Sequence, residues 1–158
     1  QARLSADDLR RTDMIHQILS FIGTIQGVEL HKDRLFMIAS ELYNNALEHG
    51  VLRLSSDLKK SVSGFDEYYK QRAIRLQLLK DDYIDIDFSF VRGSPNEVHM
   101  KISDSGDGFD FDQFLDDGLT DDFDSSAFGR GIVLLRQLCK SIIYQDAGRT
   151  ACAIYQFH

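Results

Sequence analysis

Glu41, Asn45 and His49 stand four residues apart in the run Ser-Glu-Leu-Tyr-Asn-Asn-Ala-Leu-Glu-His-Gly at positions 40–50. On a helix that spacing lines up a carboxylate, a carboxamide and an imidazole along one face. These groups can accept a proton, offer a hard oxygen ligand and donate to an anion. Two later runs carry chemistry of a related kind. Asp104-Ser-Gly106-Asp-Gly108 joins a carboxylate acceptor to two positions without a Cβ. Gly129-Arg130-Gly131 places a guanidinium between two glycines where an apolar-periodic stretch begins. Taken singly, the three have plainer readings as a solvated helix face, an Asp-x-Gly turn and a loop.

The elements that must hold these groups follow from periodicity. Residues 7–22 carry Met14, Ile15, Ile18, Leu19 and Ile22 at helical period, with Ser5 or Asp7 as the cap and Gly23 and Gly27 after the end. Asp33 caps a second helix. Its apolar stripe of Leu35, Ile38, Ala39, Leu42 and Ala46 faces a core, and Gly50 stops it. Ser55, Ser56, Ser61, Ser63 and Gly64 read as a mobile loop, and 65–79 as a third helix. Residues 83–91 and 98–102 alternate apolar and polar about a turn at 93–96, which makes an antiparallel hairpin. A helix from Gly129 carries Ile132, Leu135, Leu138 and Cys139. Strands at 141–144 and 151–157 close the chain around a turn at 146–149. Helices first, then strands with one helix inserted, is an α+β pattern: a two-layer α/β sandwich with helices on one face of a mostly antiparallel sheet.

Bulk properties narrow the function. A chain of 158 residues suffices for one domain with a core. The net charge of -7 argues against a nucleic-acid or anionic-membrane surface. No apolar run approaches bilayer-spanning length and no signal peptide opens the chain, which points to the cytoplasm. Cys139 and Cys152 read as reduced packing residues, and nothing has the spacing of a zinc site. Residues 1–8 are expected as linker or frayed end, and 9–158 as a single domain. Gln at position 1 suggests a piece of a longer protein.

Glu41-x-x-x-Asn45-x-x-x-His49-Gly50, Asp104-x-Gly106-x-Gly108 and Gly129-Arg130-Gly131, in this order and with these flanking elements, resemble the Bergerat-type (GHKL, HATPase) ATP-binding fold of gyrase, Hsp90, histidine kinases and MutL. Within it, the chain is most similar to the serine/threonine protein kinases that act as bacterial anti-sigma factors. The likeness covers about residues 7–158. It implies Mg²⁺ and ATP as ligands, with Asn45 as the metal ligand and Glu41 as the general base. His49 either touches phosphate or closes the helix end. Asp104 would receive the adenine amino group, with Gly106 and Gly108 letting backbone approach the base. Gly129 and Gly131 would turn N–H groups to the phosphates beside Arg130. Thr150 would close the adenine pocket, and residues 110–128 would form the ATP lid.

Two departures stand out. The lid is acidic, with no Lys or Arg from residue 102 to 129, and is expected to order only with nucleotide and partner. Residues 51–80 form an insertion of the kind found in kinase domains fused to receiver and phosphatase domains of bacterial stress regulators. The implied activity is phosphorylation of an anti-sigma-factor antagonist on Ser or Thr, which controls a sigma factor in signal transduction. The alternatives are a non-catalytic, nucleotide-responsive binding module for a sigma factor or antagonist, and a histidine-kinase-type catalytic domain. The Ile/Leu face of the first helix is the expected surface for a homodimer.

Overall fold

In the computed structural model, residues 1–11, 14–24, 27–55, 62–108 and 127–158 are described. Strict alternation at period two builds the sheet. Tyr83–Val91 (β2) and Asn96–Asp104 (β3) pair antiparallel, with Ile86 opposite Ile102 and Phe88 opposite Met100. Thr150–Phe157 (β5) pairs with β3, and Ser141–Gln145 (β4) pairs with β5, both antiparallel. A fifth strand, Ala2–Ser5 (β1), lies on the free edge of β2, so the order is β1-β2-β3-β5-β4. That edge strand occupies residues expected to be linker or frayed end. Leu4 is buried, and Arg3 holds Asp85 through two 2.7 Å bonds while lying 3.9 Å over the Tyr83 ring. Two apolar residues in four, Ala2 and Leu4, are too weak a pattern to announce a strand, but they suffice to seat one beside β2.

The sheet buries one face. Ile84, Ile86, Val98, Met100, Ile102, Ala153, Tyr155 and Phe157 share a core with the helices. The opposite face carries Asp85, Asp87, His99 and Lys101. The helices are Ala6–Arg11 (α1), Met14–Thr24 (α2), Lys32–Asn44 (α3), Val62–Leu78 (α4) and Ala127–Leu138 (α5). The chain is thus α+β, with helices and a five-stranded antiparallel sheet around a common core. Among the described residues, no helix is long and apolar enough to cross a membrane.

Local chemistry sets the helix ends. Ser5 caps α1 in a reciprocal box: the Ser5 N–H donates to Asp8 at 2.9 Å and the Asp8 N–H to Ser5 Oγ at 3.4 Å. Asp33 does not cap α3. The helix starts one residue earlier, after a 3-10 turn at Glu29–His31, and Asp33 sits in its first turn. Ile18 and Ile22 of α2, two residues of the face expected to be a dimer surface, are buried in the core. The expected stripe of Leu35, Ile38, Ala39, Leu42 and Ala46 is buried throughout.

The insertion is docked rather than loose where it is described. Tyr68 of α4 is buried and donates its hydroxyl to Glu48. The Arg72 guanidinium lies 3.4 Å from the same carboxylate. Arg75 donates to the Leu52 and Arg53 carbonyls, and Arg10 of α1 donates to the Leu76 and Leu79 carbonyls. Residues 56–61, part of the expected loop, lie outside the described residues.

Candidate functional site

α3 does not stop at Gly50. From Asn45 to Val51 the chain winds as a π-helix, whose bonds close over five residues. The Asn45 N–H still reaches the Glu41 and Leu42 carbonyls, so Glu41 and Asn45 remain one turn apart on the same side. Beyond Asn45 the wider turn breaks the spacing of four. His49 turns away, and its Nδ1 bonds the Leu54 carbonyl at 2.9 Å. Of the two roles expected for His49, the geometry serves the closing of the helix end.

Gly50 has a reason other than helix termination. Its backbone lies against the Asp104 carboxyl, and a Cβ there would stand 2.4 Å from Asp104 Cγ. Gly106 closes the other side: a Cβ on it would meet the Gly50 carbonyl oxygen at 2.2 Å and Asp104 Oδ1 at 2.8 Å. The Gly106 N–H donates to Asp104 Oδ1 at 2.8 Å. Gly108 packs against the Ala147 carbonyl with φ of 80°, where only glycine fits. The end of β3 is thereby clamped between the π segment and the turn that precedes β5.

Asp104 is 9% exposed. Burial pushes its carboxyl up to about 6, against the lowering effects of the Gly106 N–H and the Arg149 charge. It forms part of a cleft with Asn45, Ala46, Gly50, Gly108 and Ala151. The free volume is about 20 Å³, room for about one water, so a purine requires the walls to part.

The third run closes the site from the side. α5 crosses α3 so that a Cβ on Gly131 would lie 2.4 Å from Glu41 Oε2 and 4.0 Å from Asn45 Nδ2. Among the described residues the buried Asn45 Nδ2 has no hydrogen-bond partner, a costly state that a ligand oxygen would relieve. α5 begins at Ala127, two residues before the expected start. Gly129 therefore sits in the first turn, while Gly131 falls after the four unpaired N–H groups. The Arg130 side chain and most of the expected lid, residues 110–126, lie outside the described residues.

The structure thus brings Glu41, Asn45, Asp104, Gly106, Gly108 and Gly131 together, and leaves out His49 and Thr150. Thr150 shares the strand face of Cys152 and Ile154. Its hydroxyl bonds Ser103 Oγ at 2.9 Å and Asp146 at 2.8 Å. The turn before β5 contributes Arg149 and β5 contributes Ala151 to the cleft instead. Arg149, Tyr144 and Leu42 are cleft residues that sequence reasoning missed. Leu42 was available as the residue beside Glu41, and Ala151 as the partner of Ile102 once the strand register is known. Among the described residues no group of three or more His, Cys, Asp or Glu is placed to hold a metal ion. Comparison of the chain with family models, curated proteins and solved structures gives no match.

Proposed function

We propose that this cleft binds Mg·ATP in the Bergerat manner and that the chain is a serine/threonine protein kinase of the anti-sigma-factor type. Its substrate would be an anti-sigma-factor antagonist. One observation carries the reading. Asn45, Asp104 and Gly108, from two runs about fifty residues apart, line one cleft, and Gly131 of the third run lies against Glu41 and Asn45. The helices gathered on one face of the antiparallel sheet support the same fold assignment.

The residues divide the work by position. Asp104, buried at the cleft floor and fixed by the Gly106 N–H, accepts from the exocyclic amine of adenine. Gly50 and Gly106 leave the carboxyl no other place to go. Arg149 adds positive charge near the base end. The Asn45 carboxamide has the donor chemistry to hold Mg²⁺ through its oxygen while its nitrogen meets a phosphate oxygen. The metal would neutralise charge on the phosphates. Glu41, one turn before Asn45, takes the proton from the acceptor hydroxyl. The hydroxyl oxygen bonds to the γ-phosphorus as the bridging bond breaks, and ADP leaves with the electron pair.

The test is transfer of labelled γ-phosphate from ATP to candidate antagonist proteins. Glu41→Ala should retain nucleotide and slow transfer by roughly 10²–10⁴-fold. Full activity in that variant would refute the base assignment. The narrowness of the cleft favours one second reading, a binding module that opens for nucleotide without chemistry. It predicts nucleotide-dependent capture of the antagonist or sigma factor with no transfer by the wild-type chain.

A further inference from the structure

We propose that Gly131 is a positioning residue for Glu41: the absence of a side chain at 131 lets the Glu41 carboxylate lie against α5. The inference rests on the kinase reading above and assigns the glycine a task other than phosphate binding. The unpaired N–H groups of α5 lie in its first turn, and the Gly131 amide comes after them. The backbone does not require glycine either, because its φ lies outside the left-handed region. A glycine inside a helix is otherwise unfavourable relative to alanine.

What remains is space. A Cβ at 131 would stand 2.4 Å from Glu41 Oε2 and 3.4 Å from its Cδ, well inside contact distance for the oxygen. The obstacle is the far end of a flexible side chain, not backbone. An added methyl therefore moves the carboxylate and leaves the two helices in place. Asn45 Nδ2, at 4.0 Å, stays in ordinary contact. The substitution separates the two polar groups of the stripe, displacing the proton acceptor while the metal ligand keeps its position. A proton acceptor displaced by about 1 Å loses much of its effect on rate, with little effect on ground-state binding.

The test compares wild type, Gly131→Ala, Glu41→Asp and the double variant. In the nucleotide-free protein, glutamate is labelled at ¹³Cδ and the Glu41 signal is assigned with Glu41→Gln. With Mg·ATP, calorimetry gives affinity, and ADP release in the presence of candidate antagonist acceptors gives turnover. The Glu41 resonance is expected to move in Gly131→Ala. ATP affinity should stay within about threefold, and kcat should fall roughly 10- to 100-fold with KM little changed. The double variant should be no slower than Glu41→Asp alone, because the shorter carboxylate no longer meets the methyl. An unmoved Glu41 resonance overturns the proposal, and so does a Gly131→Ala enzyme of wild-type turnover. An ATP affinity lost in Gly131→Ala with the Glu41 signal unchanged would also overturn it, by returning the glycine to phosphate binding. A wild-type chain that binds no ATP overturns the kinase reading and the catalytic half of this one. The resonance then still decides whether Gly131 places Glu41.

Discussion

Asp104 is the residue whose surroundings say most. Its carboxyl is raised to about 6 by burial, so the folded chain holds that proton more tightly than the unfolded chain, where the ordinary value is 3.8. Stability from this group is fully present below about 3.8 and is lost as pH rises through about 6. Asp104→Asn keeps an acceptor for the Gly106 N–H and has no charge to bury. It should melt higher than wild type at pH 7–8, with the gap closing toward pH 4. A gap independent of pH, measured by thermal unfolding, would remove the buried-carboxylate account. The sequence marked Asp104 by its Asp-x-Gly context but could not show its burial, which comes from Gly50, more than fifty positions away. Thr150 fails for a related reason. Along a strand one position decides the face, and without the β3–β5 register it could not be told from Ala151.

At the scale of elements, the helices and the two hairpins were legible because their apolar periods run for many residues. The π segment was not, since Asn-Ala-Leu-Glu-His-Gly-Val carries no signal for a five-residue closure, so the spacing of four did not hold as far as His49. The segment instead follows from tertiary packing: Gly50 against Asp104 on one side, and Glu48 under Tyr68 and Arg72 on the other. Two substitutions test this. Gly106→Ala drives a Cβ into the Gly50 carbonyl oxygen, a backbone atom that cannot swing aside. It should destabilise by about 1–3 kcal/mol in denaturant titration, the usual cost of overpacking. Tyr68→Phe removes the hydroxyl donated to the largely buried Glu48. It should cost about 1–3 kcal/mol and raise amide exchange in α4 and residues 45–51 together. Exchange rising in α4 alone would show that the insertion does not brace the site helix.

For the molecule as a whole, the layers divide the task. The sheet carries the Asp104 carboxyl, the proposed acceptor for the base, at the end of β3, and α3 supplies Glu41 with Asn45 at its end. α5 closes over that pair through Gly131, and α4 holds the π segment from behind. The π segment and the β4–β5 turn form opposite walls of the narrow cleft beside Asp104. The most direct test of the account is a calorimetric titration of Mg·ATP into the wild-type chain beside Asp104→Asn above pH 7. It predicts one nucleotide per chain, and an affinity weaker by about 1.5–3 kcal/mol when the charged acceptor is replaced. No binding to the wild type, or equal affinity in the two proteins, would contradict a nucleotide site built on Asp104.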